Sequence, residues 1–481
     1  DRVEINDLID ILKVSKQSIL SLQNKNLIDI KLEDYYRNPE NAYTLEQKEI
    51  YLNEEQKNAC NKVISEMFDQ NKKPYMLHGV TGSGKTEVYM EIIDYALSQG
   101  LDSIVLVPEI ALTPQTITRF KNRFGDIVGV FHSQLSEGQK HDVYKAIKSG
   151  NIRILIGARS ALFAPFNSLG VIIIDEFHET SYKSEKNPKF SAIEVAKFIA
   201  NKNNISLVLG SATPSIDEYY KAKNGEYNLI EIKQRANKNP LPKIEVVDMK
   251  EELNKGNKSI FSFKLQDEIK QAIKNNNQVI LFLNRRGYST FIMCRNCGYT
   301  VKCKNCNISM TYHSYEDKLK CHYCGYEEKV VTKCPECGSD KIRYFGTGTQ
   351  KLEQEILKQF PQAKTIRMDV DTVTKKNSHE QILNKFKNDG IDILIGTQMV
   401  VKGHHFPKVT LVGVIAADSS LNIDDYRATE RTFQILTQVA GRAGRENLPG
   451  KVIIQTYNPE NFSIQDAQKQ NYQEFYETEI A

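Results

Sequence analysis

Short apolar runs recur between stretches of helical periodicity from about residue 49 onward. Tyr75–Leu77, Ile104–Val107, Val128–Val130, Ile154–Ile156, Val171–Ile174 and Ser206–Leu209 form a first series. Val279–Leu283, Ile391–Ile395, Leu411–Ile415 and Val452–Gln455 form a second. Runs that are apolar on consecutive residues suit strands covered on both faces, so the pattern predicts α/β architecture with parallel sheets. The series are separated by QRANKNPLPK at 234–243, a polar, proline-containing linker. Upstream, residues 1–30 carry two apolar-periodic stretches, around Leu8, Ile9 and Leu12 and around Ile19 and Leu22, with Ser15 placed to cap the second. The β-rich Leu27–Ile30 follows, then a polar linker over 31–48. Helix, turn, helix and strand fit part of a winged helix; a small helical appendage fits the same pattern.

A chain of 481 residues accommodates about three domains. Its net charge of +4 does not announce nucleic acid, so any basic surface is local. No run of 18 apolar residues exists, which predicts no membrane span, and no signal peptide is visible. Beginning at Asp1 and not Met, the chain reads as a trimmed fragment.

The strand Tyr75–Leu77 leads into GVTGSGKT, Gly79 to Thr86, at P-loop spacing. There the backbone of Gly79, Thr81, Gly82, Ser83 and Gly84 closes around phosphate oxygens, and the following helix adds its dipole. Lys85 is expected to reach the β- and γ-phosphates, and Thr86 to ligate Mg²⁺. Val171–Ile174 ends in Asp175 and Glu176, with His178 completing D-E-x-H. One carboxylate would hold Mg²⁺ and the other would polarise the attacking water. Gly210-Ser-Ala-Thr213 is a weaker signal, a turn unless the other motifs make it a coupling element. Gln438-Val-Ala-Gly-Arg442-Ala-Gly-Arg445 puts two arginines three residues apart on one helical face. They suit arginine fingers reaching a γ-phosphate from a second lobe, and the flanking glycines suggest close backbone approach.

Eight of nine cysteines form four C-x-x-C pairs: Cys294/Cys297, Cys303/Cys306, Cys321/Cys324 and Cys334/Cys337. Such pairs suit tetrahedral zinc thiolate sites, and eight ligands make two. The central gap approaches zinc-ribbon spacing. That favours an inner site of Cys303, Cys306, Cys321 and Cys324 and an outer site of Cys294, Cys297, Cys334 and Cys337; sequential pairing is the alternative. With both metals bound, the span from 294 to 337 carries a charge of about −2, which argues against a simple phosphate grip. Tyr299, Tyr312, His313, Tyr315, His322, Tyr323 and Tyr326 either stack on bases or fill the module's small core. Cys60, apart from the rest, reads as a small buried apolar residue.

At the level of whole motifs, the chain resembles the PriA family of bacterial superfamily 2 replication-restart helicases. The resemblance rests on LHGVTGSGKTEVY (77–89), VPEIALTPQ (107–115), GARSALFAPF (157–166), IIIDEFHETSYK (172–183), GSATPS (210–215), LFLNRRGY (281–288), the cysteine pairs, GTQMVVKGHHFPKVTLVGV (396–414) and RATERTFQILTQVAGRAGR (427–445). It implies two RecA-like lobes, with a zinc-binding insertion in the second and a partial winged helix at the N-terminus. The corresponding segments are 1–48 for the partial winged helix and linker, 49–233 for lobe one, 234–460 for lobe two with its insertion at 290–345, and 461–481 for the start of a truncated C-terminal domain. It further implies a cytoplasmic, monomeric, ATP-dependent 3′→5′ DNA helicase that acts on forked and single-stranded DNA at abandoned forks. Single-stranded-DNA-binding protein and primosome or helicase-loading proteins would be its partners, and ATP, Mg²⁺ and two Zn²⁺ its cofactors. Gln56 would read adenine, Gly403 would line the nucleotide pocket, Gln438 would join the catalytic set, and 179–190 would sense DNA. The nested zinc pairing gains support.

One departure stands out: where the family carries Glu after the Asp-Glu pair, this chain has Phe177. The expectation is that hydrolysis survives and that coupling to DNA is altered. Two other readings compete: a double-stranded DNA translocase or RNA helicase of the same superfamily, and a zinc-organised DNA-binding scaffold whose ATPase only switches conformation.

Overall fold

The structure, a computed structural model, describes residues 5, 8–9, 13–30, 51–108, 113–236, 240–283, 290–313, 315–345, 348–369, 372, 378–401, 406–423, 425–444 and 449–481. Its first sheet has seven parallel strands: β1 (Tyr75–Gly79), β2 (Asp102–Leu106), β3 (Val128–Phe131), β4 (Ile154–Gly157), β5 (Leu169–Asp175), β6 (Ser206–Ser211) and β7 (Asn228–Ile232). They lie in the order β3-β4-β2-β5-β6-β1-β7. The second sheet comprises β8 (Lys243–Asp248), β9 (Gln278–Leu283), β15 (Thr365–Met368), β16 (Ile393–Gly396), β17 (Val409–Ile415) and β18 (Lys451–Thr456), ordered β15-β16-β9-β17-β18-β8 and again parallel. Every apolar run of the two α/β series falls on a strand. The central strands are buried along their whole length, as parallel sheets covered on both faces require.

Between β9 and β15, a separate antiparallel sheet forms from β10 (Thr290–Cys294), β11 (Thr311–His313), β12 (Lys318–Lys320), β13 (Glu327–Lys329) and β14 (Ile342–Phe345), in the order β13-β12-β11-β10-β14. This cysteine-bearing module is tied to lobe two by Arg295. Its guanidinium donates to the Tyr457 hydroxyl at 2.8 Å and to the carbonyls of Lys258 and Ser259.

One apolar core runs through both lobes, joining Met76, Ile174 and Tyr219 to Phe433, Ile454 and Phe475. The last two helices, Phe462–Lys469 and Tyr472–Ile480, lie in that seam. Phe475 stacks on Phe433 of lobe two at 4.2 Å, and Tyr472 donates to the Pro214 carbonyl of lobe one at 3.0 Å. The stretch 461–481, expected to open a further domain, is thus packed against both lobes.

At the N-terminus, Lys16–Asn24 is a helix capped by Ser15, whose side chain accepts from the Ser18 N–H. Leu27–Ile30 is not a strand: it follows the helix as a turn and irregular backbone, with Leu27 and Ile28 exposed. A strand needs a hydrogen-bonded neighbour, and among the described residues none pairs with this one. The polar linker over 31–48 and most of the first apolar stretch lie outside the described residues.

Candidate active site and metal centres

Strands β5, β6 and β1 are adjacent and parallel, so their C-terminal ends open on one crevice. GVTGSGKT leaves the end of β1. Gly82 and Gly84 adopt φ of 79° and 78°, a left-handed turn that opposes side chains but not glycine. The helix Lys85–Ser98 then begins at Gly84 with no side-chain cap. Its first N–H groups therefore stay open to an anion, and this uncapped nest fits a nucleotide phosphate. Lys85 folds over the loop and donates to the Gly79 carbonyl at 3.0 Å; Thr86, next in the helix, is half-buried. Buried Gln56 lies beneath the loop. Its amide N–H donates to the Ser83 carbonyl at 2.8 Å and its oxygen accepts from the Asn53 N–H at 2.8 Å, completing a capping box.

Asp175 closes β5. Its carboxylate accepts from the Tyr89 hydroxyl at 2.9 Å, and its carbonyl accepts from the Tyr182 hydroxyl at 2.7 Å. Burial raises the Asp175 carboxyl to about 6; nearby Glu176 adds to this and Lys85 opposes it. A divalent cation alongside would pull that value down. Glu176 has φ of 46°, an uncommon conformation for a residue with a side chain and one that clusters at active sites. Gly210, at the end of β6, has a steric reason to be glycine: a Cβ there would lie 1.6 Å from the Tyr89 hydroxyl oxygen.

The Phe177 side chain is 1% exposed and belongs to the apolar core of the first lobe. A carboxylate at this position in this backbone would be buried among apolar side chains. The 179–190 stretch is a compact excursion, held by Arg159, which donates to the carbonyls of Ser181 and Lys183, and by the Ser184 N–H bonding to the Phe190 carbonyl.

The second lobe meets this crevice through the helix Ala428–Ala440. The Gln438 amide donates to His178 Nε2 at 2.8 Å, which leaves the ring proton on Nδ1 to donate to Ser211 Oγ at 2.7 Å. Ser211 Oγ also accepts from the Thr213 N–H at 2.9 Å. One hydrogen-bonded chain thereby crosses from lobe two through D-E-x-H to G-S-A-T. Beyond the helix, Gly441 presses on the phosphate loop: a Cβ there would lie 2.4 Å from Thr81 Cγ2. Arg442 follows directly and is half-buried. Arg445 and Gly403 lie outside the described residues.

The eight cysteines gather in two groups, Cys294/Cys297/Cys334/Cys337 and Cys303/Cys306/Cys321/Cys324, each with all sulfurs within 4.8 Å. Facing sulfurs stand 3.7 Å (Cys294–Cys337), 3.6 Å (Cys297–Cys334) and 3.6 Å (Cys303–Cys324) apart. Zinc–sulfur bonds of about 2.3 Å in a tetrahedron put sulfurs about 3.8 Å apart, so both groups fit zinc. The grouping is nested. Each knuckle closes on a left-handed residue whose N–H bonds back to the first cysteine's carbonyl: Gly298, Asn307, Gly325 and Gly338. The side-chain amides of Asn296 and Asn305 approach the sulfurs of Cys337 and Cys324 at 3.7 and 3.9 Å. The Tyr326 N–H draws the Cys324 thiol down to about 6, and the Ser339 N–H draws Cys337 down to about 7, both toward the metal-binding thiolate. The aromatics divide. Tyr299, Tyr312 and Tyr326 pack on the module's core, while Tyr315 and Tyr323 stand in solvent and His313 and His322 face each other, Nε2 to Nε2, at 3.2 Å.

Family comparisons agree with this geometry. Residues 49–216 match the type III restriction enzyme res subunit family, 303–329 the PriA DNA helicase Cys-rich region domain, and 329–447 the helicase conserved C-terminal domain. Replication restart protein PriA of Bacillus subtilis (strain 168) is 50% identical over 468 residues, covering 97% of this chain and 58% of that protein. PriA of Synechocystis sp. is 43% identical over 98% of this chain and 58% of its own length. The chain belongs to the PriA family. It spans about three-fifths of these PriA relatives. Among solved structures, RecG bound to a three-way DNA junction superposes with a TM-score of 0.54 at 15% identity, covering 90% of this chain and 47% of that one. Mss116p bound to single-stranded RNA and AMP-PNP gives 0.51 at 12% identity, covering 98% of this chain and 78% of that one. At such identities these share the two-lobe fold.

Within the PriA framework, sequence reasoning missed three structural supports. Tyr89 holds Asp175, Arg295 anchors the zinc module, and the fifth residue of each knuckle turns the chain back. The last had a visible signal, since each C-x-x-C is followed by Gly or Asn. Among the described residues, no helix is long and apolar enough to cross a membrane. Cys60 is buried, and burial pushes its thiol up to about 12.

Proposed function

We propose that this chain is the motor core of an ATP-driven 3′→5′ DNA helicase that unwinds abandoned forks and helps reload the replisome. The observation that carries the reading is the closure of one crevice by both lobes, with the Gly441 backbone on Thr81 and Gln438 on His178. In this reading Lys85 holds the β- and γ-phosphates, and Thr86 and Asp175 hold Mg²⁺. Glu176 takes the proton of the attacking water. From lobe two, Arg442 and Arg445 stabilise charge on the γ-phosphate and Gln438 reports its state to His178. Mg²⁺, when bound, neutralises phosphate charge. Gln56 would exchange its bond to the Ser83 carbonyl for adenine, and Gly403 would line the same pocket. Two Zn²⁺, one per cysteine group, make the module rigid, and its exposed Tyr315 and Tyr323 offer faces for unpaired bases. The relatives' name, replication restart protein, supports action at replication forks; in this reading single-stranded-DNA-binding protein and helicase-loading proteins are partners, and the chain acts as a cytoplasmic monomer.

The test is separation of a forked duplex with a 3′ single-stranded arm, using ATP against a non-hydrolysable analogue. Strand separation that needs hydrolysis and the 3′ arm supports the reading. ATP turnover without separation would favour the scaffold, and separation of RNA duplexes alone would favour an RNA helicase.

A further inference from the structure

Arg235 sits in the linker between the lobes, is 6% exposed, and has no carboxylate partner among the described residues. Its Nε donates to the Thr81 carbonyl at 3.2 Å and its Nη1 to the Pro240 carbonyl at 3.1 Å. The guanidinium lies flat against the phosphate loop: a Cβ on Gly82 would meet Nε at 3.2 Å and Nη2 at 3.6 Å. The next residue continues the contact, since the Ala236 N–H donates to the Gly82 carbonyl at 3.0 Å. Just before it, the N–H groups of Lys233 and Gln234 both donate to Glu55 Oε2, at 2.8 and 3.0 Å, next in sequence to Gln56. From Lys233 to Lys243 the linker contains no acidic residue.

A buried cation satisfied only by neutral carbonyls is costly, because each carbonyl replaces water's hydrogen bonds but not a counter-charge. Desolvation lowers the proton affinity of Arg235 with no opposing carboxylate, yet a guanidinium keeps its charge. The charge that belongs beside it is the polyanion that the phosphate loop is shaped to receive. Resting on the reading of GVTGSGKT as a nucleotide site, we infer that Arg235 is a positioning residue of that site, contributed by the interlobe linker. It braces the Thr81–Gly82 turn from behind and adds positive potential that favours a nucleoside di- or triphosphate. Because the same side chain grips Pro240, phosphate loading and linker position are mechanically joined.

The experiment compares wild type with Arg235→Met, Arg235→Lys and Lys85→Ala in equilibrium binding of a fluorescent ADP, alongside ATPase kinetics. Arg235→Met removes charge and both bonds; it is expected to weaken ADP binding about tenfold and to raise KM for ATP in proportion, with a much smaller change in kcat. Arg235→Lys keeps the charge but not both carbonyl bonds, and is expected to fall between wild type and Arg235→Met. ADP affinity of Arg235→Met equal to wild type would overturn the inference, leaving Arg235 as a linker clasp. Equal loss in the Met and Lys variants would overturn the role of charge. If Arg235→Met proves too unstable to assay, the Lys variant decides alone, and a tenfold loss there overturns the inference. In all these cases wild type binds ADP and Lys85→Ala does not; wild type failing to bind ADP would overturn the phosphate-loop reading and this inference with it.

Discussion

The material that fills the core differs between the two RecA-like lobes and the zinc module. Beneath β1, β5 and β6 the core is aliphatic and aromatic, built from residues such as Met76, Ile172, Ile174, Phe177 and Leu209, all at or below 1% exposure. Among the described residues, the module's core has nine buried residues, and four are cysteines: Cys294, Cys303, Cys321 and Cys334. The lobes close on themselves by apolar burial. The module buries too little for that, so its shape depends on the metal. The chemistry divides the same way. Of the residues we propose for ATP chemistry, Asp175 and Lys85 stand on elements of the lobes and Glu176 and Arg442 follow such elements, and among the described residues neither cysteine group contributes to the crevice.

The largest effects follow from disabling the crevice alone. Lys85→Ala and Glu176→Gln should each lower ATP turnover about a hundredfold or more, while zinc content and melting temperature stay near wild type. Colorimetric phosphate release beside metal analysis checks both. A Lys85→Ala variant that hydrolyses ATP normally would break the comparison at its first half.

Metal removal probes the other half. Cys303→Ser should lose one zinc and keep the other, and Cys294→Ser should do the same for the outer group. Disturbing either ligand set should cost about tenfold in strand separation. Plasma emission analysis of each variant gives the count. Loss of both metals from a single substitution would mean the two groups fold as one unit.

A smaller effect is expected at Phe177. Substitution by Glu removes a fully buried ring and installs a carboxylate in its place, costing stability by about 3–5 kcal/mol. Thermal melting reads this, and DNA stimulation of the ATPase falls with the folded fraction. A Phe177→Glu variant as stable as wild type would show that this part of the core can open.

Much of this was legible in the chain. Central strands announced themselves because both their faces are buried, and the phosphate loop, D-E-x-H and the cysteine pairs carry their chemistry in fixed spacing. Three sheet-edge strands, β7, β8 and β15, were not read. Sequences such as NLIEI and KIEVVD mix polar and apolar positions because an edge strand is only half covered. Contacts across the lobes were illegible for another reason. The glycines of 438–445 hinted at close approach, yet nothing in the sequence says that Gly441 meets Thr81 or that Gln438 meets His178. Those pairings join residues hundreds of positions apart and exist only once the lobes close. Leu27–Ile30 shows the opposite failure: β propensity without a neighbouring strand makes no strand.

The most direct measurement is the ratio of fork unwinding to ATP hydrolysis in protein depleted of zinc by chelation, compared with the same protein reloaded with zinc. A polar crevice carried on lobes with apolar cores predicts that hydrolysis stays within about threefold while unwinding falls about tenfold and returns on reloading. Hydrolysis and unwinding falling together, in the same proportion, would contradict the division between lobes and module.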